Sequence, residues 1–522
     1  WRLVSNGLPE ATIQHAAAPP SRLQEAEWLS LLPLLVRPDA KQFLVIGLGG
    51  GNTLSAVPDS VDGIDLIELE PEVVAANRLV GPLRVHGDPL EDPRLNLRMG
   101  DARGSLMLSD RLYDAIISQP SHPWTSGASH LYTREFFEMV RERLTSDGVF
   151  VQWMGPGFVN EDLLRGLVGT LGDVFENVMV FRPRSGAILF VSSAEPFSLV
   201  ESSARAISIS PEKLARIGIY TPEDVLSALR LDASGSRAFS EGATRITDDW
   251  NRLAWVRSEA GDRRLSGTAL ADAMAEYDPL SQPNPAVNLD LLARRIFQAQ
   301  AARPLRGSQN KRLMRLTELQ SEPDQERVRG WEALAGGRRK AAHRHFSRAL
   351  ELDPESVPAK VGIEMSAIDS IDLESLPPRE AGLVQAMRYA LDRDWLALQE
   401  LDPELSAWPA GSLFFPDVVR LRIAWRMEQP GREEAAEALE LIDQLIAMGS
   451  PESDLWLRAS AAARAGRVDA AWASLNSLAM AMARSSNPSG LARRGLFLAE
   501  RLPPRSGSEI TLRRLRVQAR GY

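Results

Sequence analysis

Between Gln42 and Gln152 five short runs of aliphatic and β-branched residues recur along the chain: FLVIGL from Phe43, GIDLIEL from Gly63, LNLRM from Leu95, DAIIS from Asp114 and GVFVQW from Gly148. Each is bounded by turn residues, the pattern of a buried strand. Helical stretches such as EVVAANRLV and TREFFEMVRERL separate them. Strands that alternate with helices imply βαβ units and a mostly parallel sheet, since a parallel neighbour is reached only through a crossover long enough to hold a helix. From Glu161 to Ser193 the theme continues with a helix, then VMVFRP and AILFVSS, expected as an antiparallel pair that finishes the sheet. The fold class is therefore α/β with a Rossmann-like sheet, running to about residue 258.

From about Leu265 the strand pattern stops and Ala, Leu, Arg and Glu dominate, which predicts an all-helical second half. Within it Gly330, Gly337, Ala342, Phe346, Ala349 and Pro354 fall at the offsets of a 34-residue tetratricopeptide repeat, where small residues let two helices approach closely. Ala424, Gly431 and Ala436, then Ala459, Gly466 and Ala471, are weaker echoes without the terminal proline. The expected organisation is a lead-in segment over 1–40, the α/β domain over 41–258, a helical linker over 259–325 and a tetratricopeptide-like helical domain over 326–522. Ala293 to Arg315 holds seven Arg or Lys and no acid. A solvated helix face plus a linker at Pro304 and Gly307 is the plain reading, and a surface for anionic lipid or nucleic acid the other.

VIGLGGGNTL sets Gly47, Gly49, Gly50 and Gly51 directly after an apolar strand and before a helix, where backbone amides and the positive end of a helix dipole can approach a ligand. Glu68 follows 21 residues beyond Gly47, at the end of the next strand. That spacing suits a carboxylate accepting from both ribose hydroxyls of a nucleotide. MGDAR then puts Asp101 and Ala102 just past the third strand, at the same carboxyl-end crevice, with Asp101 placed to accept from an adenine amine. Plain alternatives exist for each: turn-forming glycines, a surface charge at Glu68, a helix cap at Asp101. Their order at successive strand ends favours an adenosine pocket.

Composition narrows the function. The chain has no cysteine, which excludes disulfides, zinc-cysteine sites and thiol nucleophiles. Its net charge of -9 argues against a wholesale grip on nucleic acid. His122 and His130 are too isolated from other ligands to argue for a metal. The apolar run Trp28 to Val36 has nine residues, whereas a membrane span needs about 20. The chain starts at Trp1 rather than Met, without a basic n-region or cleavage site behind it, so it is expected to be cut from something longer that could carry an anchor on the cytoplasmic face of a membrane.

The run from Lys41 to Trp153, with VIGLGGGN, IELEPEVV, DPRLNLRMGDAR, YDAIISQP, LYTREFFEMVRERL and DGVFVQW, resembles the spermidine synthase family of polyamine aminopropyltransferases, which share the S-adenosylmethionine methyltransferase fold; ITDDW near Asp248 is a late echo. The resemblance implies a methyltransferase-type sheet, with Glu68 on the ribose and Asp101 on the adenine of decarboxylated S-adenosylmethionine or its thioether product; on the histidine spacing above, no metal is expected. It also implies a polyamine acceptor, allows a homodimer, and is similar to the variety that follows a membrane-embedded region. The family's acid that closes the glycine loop on the aminopropyl amine is Asn52 here, and the two acids after the fourth strand align with Gln119 and His122. Three lost acids weaken the attraction for a polycation, while His122 can still act as a base near neutral pH. Neutral Asn52 no longer selects for an amine, so ordinary S-adenosylmethionine is less disfavoured. The loop SQPSHPWTSGASHLYTREF, stiffened by Pro120 and Pro123 and hinged at Gly127, reads as a substrate lid, or as a packed crossover loop. The expected activity is aminopropyl transfer, with His122 and Gln119 as catalytic candidates. The alternatives are S-adenosylmethionine-dependent methyl transfer, or a non-catalytic scaffold whose helical repeats recruit a protein partner.

Overall fold

In the computed structural model the five apolar runs form five adjacent strands of one eight-stranded sheet, with LNLRM at its edge. The structure describes every residue except 6, 21–23, 86, 121, 126, 184–186, 256–266, 282–285, 302–311, 313–315, 319, 450, 484–488 and 521–522. The chain divides into two units, each assembled from three stretches: residues 1–16, 23–286 and 303–316, and residues 17–22, 287–302 and 317–522.

In the first unit a hairpin of β1 (Arg2–Ser5) and β2 (Leu8–Thr12) precedes the sheet strands β3 (Gln42–Ile46), β4 (Gly63–Glu68), β5 (Leu95–Met99), β6 (Tyr113–Ser118), β7 (Leu144–Met154), β8 (Asn177–Phe181), β9 (Ile188–Ser193) and β10 (Leu229–Leu231). Their order across the sheet is β10-β8-β9-β7-β6-β3-β4-β5. The strands from β7 to β5 are parallel, while β9 runs antiparallel to β7 and to β8. The pair β8 and β9 does not finish the sheet: three-residue β10 adds to the edge of β8, a strand too short to carry a period-2 signal.

The register levels the carboxyl ends of the parallel strands. Ile46 faces both Ile67 and Ser118, Glu68 faces Met99, and Ser118 faces Gln152. Beyond the strands the ladder runs one bond further, Gly47 N donating to Ile67 O (2.9 Å), Gly100 N to Glu68 O (2.9 Å) and Gln119 N to Ile46 O (3.1 Å). The turns that leave these strands therefore start side by side, at the crevice where open α/β sheets hold ligands.

Residues 1–40 are more than a lead-in. Their apolar stretch is the helix α1 (Glu25–Val36), buried along Trp28–Val36. The helices that follow the strands are α2 (Asn52–Ser55), α3 (Pro71–Val80), α4 (Ala102–Met107), α5 (Arg134–Glu142) and α6 (Glu161–Gly172). Phe136 and Phe137 of α5 pack on Phe150 of β7 at ring distances of 6.3 and 5.7 Å, which seals one face of the sheet.

The second unit is helical. Helix Leu289–Ala301, within the stretch expected as linker, carries buried Asp290, which accepts from Trp331 Nε1 (2.7 Å) and Arg327 Nε (3.0 Å). Helices Glu322–Ala335, Arg339–Leu352 and Val357–Ser366 close around Phe346. A Cβ at Gly330 would stand 2.5 Å from its ring, and one at Gly362 2.7 Å, so both glycines are there to admit it. Ala342 and Ala349 are buried as the repeat spacing requires. In the second echo the buried small residues are Ala435 and Ala438 rather than Ala424 and Ala436.

The basic stretch is no solvated face where it is described. Arg312, 7% exposed, pairs with Asp278 (2.6 Å) and donates to Ser227 O. Arg295, 4% exposed, donates to Gly411 O, and Arg294 pairs with Asp417. Pro304 and Gly307 lie outside the described residues. Among the described residues no helix is long and apolar enough to cross a membrane.

Candidate functional site

The glycine turn needs its glycines for two reasons. Gly49 and Gly51 have φ of 49° and 71°, a region that side chains rarely adopt. A Cβ at Gly47 would stand 2.8 Å from Gln119 O, whereas one at Gly49 would meet nothing within 4 Å, which leaves the outer side of the turn open. The helix expected to lend its dipole is a single turn, α2. Val57 and Pro58 follow it closely, and proline both lacks an N–H and disfavours helix in the residue before it. Backbone amides, not a macrodipole, are what this turn offers an anion or a sugar.

Glu68 is 7% exposed and aimed at the turn. Its Oε2 accepts from Leu48 N (2.8 Å) and its Oε1 from Glu70 N (2.9 Å), so it is not a surface charge. Each oxygen keeps a lone pair for a further donor. Asp101 is exposed and caps α4, with Oδ2 accepting from Gly104 N (2.7 Å), which leaves Oδ1 uncommitted to that bond; Ala102 is buried behind it. Glu68 and Asp101 thus stand on neighbouring strand tips, with the glycine turn on the third.

The hairpin of the first sixteen residues covers the other side of the turn. A Cβ at Gly50 would meet Ala11 Cβ at 2.9 Å, and Asn52 Nδ2 donates to Thr12 O (2.7 Å). Asn52 Oδ1 in turn accepts from Arg84 Nη2 (3.1 Å). Gln119 points at α2, where its Oε1 accepts from Thr53 Oγ1 (2.7 Å), and Thr53 O accepts from Ser30 Oγ of α1.

His122 lies under aromatic rings, 5.1 Å from Trp124 and 5.0 Å from Phe158, with Trp153 5.8 Å beyond Phe158. Its Nδ1 is 3.5 Å from Glu10 Oε1 of the hairpin, and both side chains are largely buried. A carboxylate therefore does reach this region, brought by β2 rather than by the loop after β6. Nothing local announced it: Glu10 and His122 are over a hundred positions apart. The far end of the loop, at His130 and Tyr132, is anchored to its neighbours. Arg103 of α4 donates to His130 O (3.0 Å), and Tyr132 is fully buried with its hydroxyl on Trp153 O (3.2 Å). Arg103 also grips Asp248 of ITDDW with two bonds of 2.8 and 2.6 Å. Burial opposes ionisation of Asp248, yet hydrogen bonds from Arg103, Thr133 and His130 outweigh it and hold the carboxyl down at about 2.

Known proteins give the context. The spermine/spermidine synthase domain matches residues 23–183. A polyamine aminopropyltransferase of Synechococcus sp. (strain JA-2-3B'a(2-13)) is 33% identical over 213 residues, 40% of this chain and 64% of that protein. One of Nitrosomonas europaea is 29% identical over 250 residues, 45% of this chain and 75% of that protein. The chain thus spans less than two thirds of the Synechococcus relative. The solved structure of spermidine synthase from Thermotoga maritima covers 49% of this chain and 78% of its own, at 20% identity and a TM-score of 0.33.

Proposed function

We propose, from the premise that residues 23–183 form a spermine/spermidine synthase domain, that this chain binds an S-adenosyl nucleoside across the tips of β3, β4 and β5 and transfers an aminopropyl-type chain from its sulfonium to an amine, a polyamine in the family pattern. The single observation that carries this is Glu68: a nearly buried carboxylate fastened to the amide of Leu48 inside the glycine turn, with lone pairs left for the ribose hydroxyls. Asp101 lies one strand further on for the adenine amine, and Ala102 backs it.

Transfer requires a neutral amine. In this reading the acceptor ammonium loses its proton to the His122 imidazole, and Glu10 at 3.5 Å steadies the imidazolium. The amine lone pair then forms a bond to the carbon next to sulfur, the carbon–sulfur bond breaks, and its electron pair leaves sulfur as a neutral thioether. Gln119, its carboxamide oxygen already on Thr53, is a positioning residue that fixes the end of β6 against α2.

Calorimetric titration of the whole chain with methylthioadenosine, S-adenosylmethionine and decarboxylated S-adenosylmethionine tests the binding half. Heat with none of the three removes the reading. Mass spectrometry of acceptor mixtures incubated with chain and donor tests the transfer half, and a Glu10→Gln chain, which lacks the carboxylate that steadies the imidazolium, is expected to turn over more slowly than the native chain.

A further inference from the structure

We infer that the tail end of the donor site is built to receive a carboxylate, so that the donor is S-adenosylmethionine itself rather than its decarboxylated form. The inference rests on the nucleoside reading above and adds the chemical class of the donor's tail.

Asn52, the residue that closes the glycine turn, has both ends of its amide committed. Its nitrogen donates to Thr12 O at 2.7 Å and its oxygen accepts from Arg84 at 3.1 Å. An incoming ammonium would find the amide oxygen already bonded to a guanidinium. Arg84 is 6% exposed and lies directly behind the turn, where a Cβ on Gly51 would stand 2.9 Å from its Nη1. Its other acceptors, Asn77 Oδ1 (2.9 Å) and Ser55 Oγ (3.5 Å), are neutral. Among the described residues Arg84 forms no ion pair, and Asp88 is the one acid that acts on it. Asp88 in turn spends an oxygen on Leu90 N (2.9 Å).

Burial lowers the pKa of this guanidinium, but arginine stays charged in proteins. A full positive charge is therefore held beside the turn with only neutral groups bonded to it, and a poorly solvated charge acts strongly on whatever enters its neighbourhood. It repels the lone ammonium of a decarboxylated tail and attracts the carboxylate of an intact one. Asn and Arg together thus reverse the sign that an acid at position 52 would give.

The test compares three ligands by calorimetry on the whole chain. Methylthioadenosine, whose tail is a methyl group, reads the nucleoside pocket alone. S-adenosylmethionine is expected to bind at least about tenfold more tightly than its decarboxylated form. Arg84→Gln is expected to erase that preference while leaving the dissociation constant for methylthioadenosine within about twofold. Should Arg84→Gln fold poorly, Asn52→Asp serves instead: its carboxylate pairs with Arg84 and shifts the preference toward the decarboxylated donor. Equal or tighter binding of the decarboxylated donor by the native chain, with methylthioadenosine still bound, overturns this inference and leaves the nucleoside reading standing. An Asn52→Asp chain with unchanged preference also overturns it. Binding of none of the three overturns both.

Discussion

Changing Glu68 to glutamine separates the two jobs this side chain holds. The carboxylate takes two backbone donors, Leu48 N at 2.8 Å and Glu70 N at 2.9 Å, at a position 7% exposed. Glutamine keeps one acceptor oxygen but turns an NH2 group toward the second amide, leaving a buried donor without a partner, which costs about 1–3 kcal/mol. In a unit of this size each kcal/mol moves the midpoint of thermal unfolding by roughly 2–4 °C. The ligand-free variant should therefore melt several degrees lower. Binding should suffer separately. A hydrogen bond from a ribose hydroxyl to a charged acceptor contributes about 1.5–3 kcal/mol, so losing the charge should weaken methylthioadenosine roughly ten- to a hundredfold, at 1.4 kcal/mol for each factor of ten. Thermal unfolding with and without ligand, together with calorimetric titration at a temperature where the variant is fully folded, reads both effects. A variant that melts early yet binds methylthioadenosine with native affinity would refute the ribose role and leave Glu68 as a brace for the turn.

Three further outcomes follow from the geometry. Asp248 is held at about 2 against an ordinary 3.8, so its share of stability is present above pH 4 and is lost as pH falls toward 2; at a third exposure this share is about 1–2 kcal/mol, and Asp248→Asn should remove that acid limb from a stability-against-pH curve. Glu27 of α1 is pushed the other way, up to about 7, by burial and then by Glu25. Its folded form holds a proton that the unfolded chain releases near pH 4.5, so stability declines from about pH 4.5 to 7, and Glu27→Gln should raise the melting temperature at pH 8 but not at pH 4. In the helical unit, Gly330→Ala would ordinarily favour a helix by about 0.5–1 kcal/mol, but the new methyl would lie 2.5 Å from the Phe346 ring; overpacking of about 1–3 kcal/mol should win, and a rise in denaturant midpoint would contradict the packing described.

What could be read from the sequence was whatever repeats or is local. The five apolar runs became strands β3 to β7 because an apolar run bounded by turn residues has few other ways to bury itself, and Gly47, Glu68 and Asp101 landed on adjacent strand tips because the βαβ order fixes where such tips lie. The missed parts are contacts between distant positions. Glu10 beside His122, and Asn52 between Thr12 and Arg84, depend on a hairpin folding back over the turn, and no periodicity signals that. Arg312 looked like one charge in a basic run, yet the carbonyls of Ser227 and Leu229 and the carboxylate of Asp278 draw it inside. Local charge patterning is silent about such partners, because they are set by tertiary packing.

The way the chain is shared between its two units bears on how either can be obtained alone. Each unit is assembled from three separated stretches, so no single cleavage releases one of them whole. A fragment begun at residue 326 would leave Asp290 behind, exposing the indole N–H of Trp331 and the guanidinium of Arg327 that it satisfies. Deleting the first sixteen residues would strip Thr12 and Glu10 from the glycine turn and His122. Trimmed versions of this protein will therefore report on missing partners as much as on the part retained.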